Sequence, residues 1–124
     1  MEHQRYQKGE AVLGRITKAD GRAVIEGLRA ISPELGRFIV EFAYGDVLSR
    51  PDLDLKTREL TTIAVLGALG GCDPQLKVHI QGCLNVGCTR GEIVETLLQI
   101  AVYAGFPRTI NAMKCAQDVF STQG

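Results

Sequence analysis

The chain has 124 residues, enough for one compact domain and too few for two. Its 45% hydrophobic content can build a core, and 14 basic residues balance 14 acidic ones to a formal charge of zero. That balance argues against an electrostatic grip on nucleic acid or an anionic membrane, and a near-neutral surface favours a chain that oligomerises.

The punctuation along the chain describes helices. A first helix is predicted over 4–17, with Val12, Leu13 and Ile16 on one side, and a second over 21–31, carrying Val24, Ile25, Leu28 and Ile31. Ser32-Pro33 supplies an N-cap and a first-turn proline for a third helix, whose apolar positions Leu35, Phe38, Ile39, Phe42 and Ala43 recur at helical spacing. Arg50-Pro51-Asp52-Leu53-Asp54 is a breaker, and Asp54 can cap a fourth helix of about 55–70. Leu60, Ile63 and Gly67 form its stripe, with Ala64 and Ala68 beside it. Gly70-Gly71 ends that helix, and Asp73-Pro74 opens a fifth that stops at Gly87, with Asp73 as its expected cap.

Thr89-Arg90-Gly91-Glu92 has capping-box spacing, which starts a sixth helix at residue 90. Ile93, Leu97, Ile100 and Ala104 trace its inner stripe, widened by Val94, Leu98 and Ala101, a breadth that implies burial on more than one side. Gly105 ends it, and Pro107 opens the last helix, about 107–121. Thr61-Thr62-Ile63-Ala64-Val65 has strand-like composition, but no second strand exists to pair with it. The reading is a single all-α domain spanning 1–124, a bundle of six to seven helices.

No stretch approaches the roughly 20 apolar residues needed to cross a bilayer. Met1-Glu2-His3-Gln4-Arg5 leads into no apolar signal core, so a cytoplasmic location is the default expectation. In that setting the four cysteines (Cys72, Cys83, Cys88 and Cys115) read as free thiols rather than a disulfide framework.

Glu59, Cys72 and His79 are the best candidates for chemistry. Their side-chain types have reference pKa values of roughly 4.3, 8.5 and 6.5, which bracket neutral pH, so together they can move protons. Cys72 sits just before the fifth helix, where unsatisfied N–H groups would lower the pKa of an exposed thiol. If the fourth and fifth helices pair, Glu59 faces His79, and Cys83 lies one turn beyond His79 on the same face. Each has a plainer role: Glu59 near a helix start serves the dipole, His79 can be a satisfied surface residue, and Arg58 and Arg108 are solvated charges. Cys83, Cys88 and Cys115 sit among apolar neighbours as core thiols. Zinc has possible ligands in Cys72, His79, Cys83 and Cys88, but the tight Cys-x-x-Cys pairs are missing and no metal is expected. No phosphate-cradling loop, dinucleotide fingerprint or nucleophile elbow is present.

From about residue 36 to 120 the chain resembles the carboxymuconolactone decarboxylase family. The matching pieces are Phe42-Ala43-Tyr44-Gly45, Leu55-Lys56-Thr57-Arg58-Glu59-Leu60, His79-Ile80-Gln81-Gly82-Cys83-Leu84-Asn85, Gly87-Cys88-Thr89-Arg90-Gly91-Glu92-Ile93 and Val102-Tyr103-Ala104-Gly105-Phe106-Pro107. The likeness is closer to the small decarboxylase branch than to the thiol-dependent peroxidase branch, alkyl hydroperoxidase D. It implies an all-helical fold and a ring-shaped homo-oligomer, commonly a hexamer; the sequence predicts no other protein partner.

The decarboxylase branch implies loss of CO2 from γ-carboxymuconolactone to give the β-ketoadipate enol-lactone, a step of aromatic catabolism. The leaving carboxylate is vinylogous to the lactone carbonyl, an internal electron sink, so no cofactor is expected. On that reading His79 donates a proton or stabilises the dienolate, Glu59 orients it, and Arg58 clamps a carboxylate, with Cys83 as a further substrate-binding candidate. The peroxidase branch is the alternative, centred on Cys72 with Glu59 and His79. There Gln75 stands where that branch has its second cysteine, and the Glu59 to Cys72 spacing is one residue too long. A scaffold that keeps the fold without the chemistry is the third reading.

Overall fold

A computed structural model describes residues 2–123. Among them are seven α-helices and no strand: α1 (Glu2–Thr17), α2 (Ala19–Gly27), α3 (Pro33–Phe38), α4 (Leu55–Leu69), α5 (Asp73–Asn85), α6 (Arg90–Ala104) and α7 (Phe106–Ser121). A π-helical segment, Ile39–Val47, continues directly from α3. The described residues fall into two compact units, the first ending at Leu55 and the second starting at Lys56.

In the first unit, Val12, Leu13 and Ile16 of α1 are buried, as their spacing predicts. The second helix is shorter than expected: it closes at Gly27, and residues 28–31 turn through bonds such as Arg29 N–H to Glu26 O and Ile31 N–H to Leu28 O. The Ser32 cap is present, its hydroxyl accepting from Leu35 N–H at 3.2 Å. Beyond Phe38 the helix widens, and Leu48 N–H reaches back five residues to Ala43 O at 2.8 Å. Each wide turn takes up an extra residue, so the 3.6-period stripe rotates away from the interior. Phe42 consequently lies exposed, while Val40, Glu41, Tyr44 and Gly45 are buried; Leu35 and Phe38, in α3 ahead of the widening, are exposed too.

The wide segment packs on α1 through two glycines. A Cβ built on Gly9 would sit 1.9 Å from Val40 O, and one on Gly45 would sit 2.8 Å from Arg5 O. At this crossing the two backbones touch. Arg5 ties the same two elements through a two-pronged pair with Asp46, Nε to Oδ1 at 3.1 Å and Nη2 to Oδ2 at 2.6 Å.

The second unit has the larger core. Ile63, Leu76, Ile80, Cys83, Ile93, Leu97, Ile100, Ala112, Cys115 and Val119 form one buried cluster. Ile93, Leu97 and Ile100 are the predicted inner stripe of α6, whereas Leu98 of the widening set is exposed. Gly67 lets α6 approach α4, since a Cβ there would lie 2.6 Å from Ile100 Cδ1. The capping box is complete: Thr89 Oγ1 accepts from Glu92 N–H at 3.0 Å, and Glu92 Oε1 accepts from Thr89 N–H at 2.8 Å. Lys56 Nζ, 2.9 Å from Glu92 Oε2, joins the start of α4 to that of α6.

Two predictions follow from these contacts. A glycine inside a helix ordinarily gains up to ~1 kcal/mol on change to alanine. Gly9→Ala should instead lose about 1–3 kcal/mol or more, because backbone atoms oppose the new methyl and no rotamer relieves the overlap. Urea denaturation of the variant measures it, and equal or greater stability would refute the contact. Glu92 has its pKa lowered, chiefly by the Thr89 backbone N–H and then by Lys56. A depressed carboxyl contributes stability above its unfolded value and loses it as pH falls through the folded one. Stability of the native protein should therefore drop more steeply below about pH 4.3 than that of Glu92→Gln, measured by thermal melts across pH.

Candidate active site

All five candidate residues belong to the second unit. Gly70 and Gly71, both at positive φ, carry the chain from α4 into α5. The cap of α5 is Cys72 rather than the expected Asp73, which becomes the first helical residue with Pro74 behind it. Pro74 is tolerated there because its missing N–H costs nothing in the first turn, and the helix starts one residue earlier than the aspartate suggests.

Two turns into α5, His79 Nδ1 lies 2.8 Å from Oε1 of Glu59 on α4. The predicted pairing across these helices is present. Glu59 has no exposed side-chain surface, and the His79 side chain keeps 16% of its own. An ionised carboxylate can only accept, so opposite a charged Glu59 it is Nδ1–H that donates, and Nε2 stays outside this bond. Oε2 of Glu59 is buried and has no hydrogen-bond partner among the described residues. Losing one member of a buried charged pair typically costs 3–5 kcal/mol, so a carboxylate held by one bond depends heavily on its imidazole.

Cys72 stands apart from this pair. It is partly buried, and its Sγ donates to Leu66 O at 3.2 Å, with no hydrogen bond to Glu59 or His79 among the described residues.

Cys83 lies inside the core with no exposed surface. Burial pushes its thiol far up, and the charge of Glu59 adds to the shift. Cys83 was a candidate for touching substrate; enclosed by Ile63 and Ile80 in the cluster, it serves packing. Burial is also the main cause raising the thiols of Cys88 and Cys115.

Cys88 was read only as a core thiol, and the structure gives it a further part. Gly87, at φ 101, ends α5 with Cys88 N–H bonding to Cys83 O at 2.9 Å and Gly87 N–H to Leu84 O at 3.2 Å. This is the six-to-one and five-to-two pattern that brings residues 83 and 88 together. Cys88 Sγ donates to Lys56 O at 3.7 Å, which links this turn to the start of α4. The signal was Gly87 itself, whose position as the αL residue sets that register. Arg58 precedes Glu59 on α4 and is partly buried. Arg108 is exposed, as expected of a solvated charge, and its Nε also donates to Leu69 O at 3.2 Å at the exit of α4.

Geometry of this kind suits proton transfer: a fixed imidazole, a buried orienting carboxylate, and one nitrogen left to a reactant. Residues 33–118 match the family described as carboxymuconolactone decarboxylase. The chain is 40% identical over 125 residues to the 4-carboxymuconolactone decarboxylase of Acinetobacter baylyi, covering 99% of this chain and 92% of that relative. It is 41% identical over 80 residues to the nitrosuccinic acid decarboxylase of Metarhizium robertsii, covering 64% of this chain and 54% of that protein. An uncharacterized 15.0 kDa protein of Paracoccus denitrificans is 28% identical over 121 residues, which is 97% of this chain and 90% of the other.

The thiols give a direct check. A small disulfide reagent at pH 8 should modify one sulfur of the native chain quickly, Cys72, and the other three only on unfolding. Cys72→Ser should abolish the fast phase. Rapid modification of two or more thiols in folded protein would contradict the burial of Cys83, Cys88 and Cys115.

Proposed function

The chain belongs to the carboxymuconolactone decarboxylase family, and we infer that it is a carbon–carbon lyase acting on γ-carboxymuconolactone or a similar small carboxylated lactone. Decarboxylase activity is the coarser statement, and both the family and the two named decarboxylases support it. The single observation that carries the site assignment is the 2.8 Å bond between His79 Nδ1 and the buried Glu59.

The reaction proceeds in two steps. The bond between the ring and its carboxyl carbon breaks, CO2 departs, and the electron pair moves through the ring double bond onto the lactone oxygen. The resulting dienolate then takes one proton at a ring carbon. Overall a carboxylate and a proton become C–H and CO2. Because the substrate carries its own electron sink, the protein has only to bind, hold the developing oxyanion, and deliver the proton.

His79 fills the last two roles. In the doubly protonated form the imidazole keeps its Nδ1–H on Glu59 and presents its Nε2–H to the dienolate, giving that hydrogen to the ring carbon and returning to the neutral ring, while Glu59 keeps the ring from turning. Arg58 binds one substrate carboxylate through two parallel N–H···O bonds. The product, an enol-lactone, passes to aromatic catabolism through β-ketoadipate, and the working location is the cytoplasm.

Assembly is part of the same proposal. Leu35, Phe38 and Phe42 in the first unit, and Val102, Tyr103 and Phe106 in the second, are large apolar side chains left facing outward. Outward apolar surface on this scale marks contact with other chains, here copies of the same chain in a ring-shaped hexamer.

The decisive experiment supplies γ-carboxymuconolactone to the purified protein and follows CO2 release. His79→Gln should lower turnover at least about a hundredfold with the oligomer unchanged by light scattering, whereas Cys72→Ser should retain it. An unaltered rate in His79→Gln would remove the imidazole from the mechanism. Loss of activity in Cys72→Ser with the fold intact would point to thiol chemistry instead.

A further inference from the structure

Where α1 gives way to α2, a hollow of about 450 Å³ opens among Ala11, Gly14, Arg15, Lys18, Ala19 and Arg22. Its floor is made of small residues and its rim of three cations. No acidic residue lines it, and Asp20, in the first turn of α2, lies outside the lining.

Arg15 in α1, Lys18 at the break between the helices and Arg22 in α2 line this one hollow, with no ion pair or side-chain hydrogen bond to any of them among the described residues. The third cation is drawn inward. A Cβ built on Gly14 would lie 3.0 Å from Nη2 of Arg22, so that guanidinium rests against bare helix backbone.

Lys18 adds an independent oddity. It is the one non-glycine at positive φ among the described residues, with φ 52 and ψ −128. A residue with a Cβ is strained there, and glycine would adopt the same turn without strain. The helix macrodipole accounts for Arg15 in the last turn of α1, but it does not account for a strained lysine or for Arg22. Three like charges around one concavity repel each other, and a counter-anion seated between them removes that repulsion.

We propose that this hollow is a binding site for a small multivalent oxyanion, gripped by Arg15, Lys18 and Arg22. Each guanidinium offers two parallel N–H donors to a pair of oxygens, and the ammonium acts as a point charge. Phosphates and dicarboxylates share this chemistry. The site lies wholly in the first unit, whereas the Glu59–His79 pair lies in the second, so it does not rest on the decarboxylase reading.

Titration calorimetry on the full chain at low salt tests it, with inorganic pyrophosphate and adipate as separate probes. Saturable binding of at least one probe is expected, and the tighter one identifies the oxyanion class. Arg15→Gln/Arg22→Gln should weaken it at least about tenfold, a loss of ~1.4 kcal/mol. Lys8→Gln/Arg29→Gln removes the same charge elsewhere in the unit and should leave affinity within about twofold. Lys18→Gly should bind more weakly yet melt higher without anion, since it relieves the strained turn; Lys18→Gln should bind more weakly without that gain. The proposal is overturned if neither probe saturates by roughly 10 mM, or if the two double variants lose affinity equally.

Discussion

The second unit depends on one expensive interaction: a carboxylate with no exposed surface, held through a single oxygen by an imidazole that keeps a sliver of its own. Hydrophobic residues of similar size would pack at that place with less penalty, as buried ion pairs elsewhere show. The fold accepts the cost because the pair fixes a ring nitrogen at a defined spot near the surface. Local sequence makes this possible. Gly70 and Gly71 turn the chain, Cys72 and Pro74 start α5 in register, and two helical turns deliver His79 opposite Glu59.

The termini of the helices were the most readable part of the chain, because caps are local chemistry. Thr89 and Glu92 form the box their spacing announces, and Ser32 caps α3 as expected. The inner stripe of α6 was equally plain, since three of its members are buried in the core. What could not be read was the widening after Phe38. An i→i+5 turn has no composition of its own, and a 3.6-residue period laid over it assigns the wrong face. Phe42 was thereby counted with the inward stripe, and Glu41, an acid, turned out to be buried.

The pairing of Glu59 with His79 was legible only as a conditional, because sequence spacing says nothing about which helices touch. Motif resemblance made the pairing worth expecting; packing decided it. The thiols illustrate the opposite case. Cys72 precedes a helix start and has the sequence setting of an activated sulfur, yet a backbone carbonyl six residues upstream takes its hydrogen. Long-range or loop-borne partners of this sort leave no trace in residue order.

Sulfur also separates the two chemistries open to this fold. A peroxidase needs a thiolate and a second thiol to receive the disulfide, with both sulfurs accessible to the oxidant. Here Cys83 and Cys88, joined by a backbone bond, are both sealed in the core with their thiols pushed up by burial. A decarboxylation through an internal electron sink asks for none of this. It needs one proton donor held still, and under the proposed lyase reading an imidazole bonded to a buried acid suits that need.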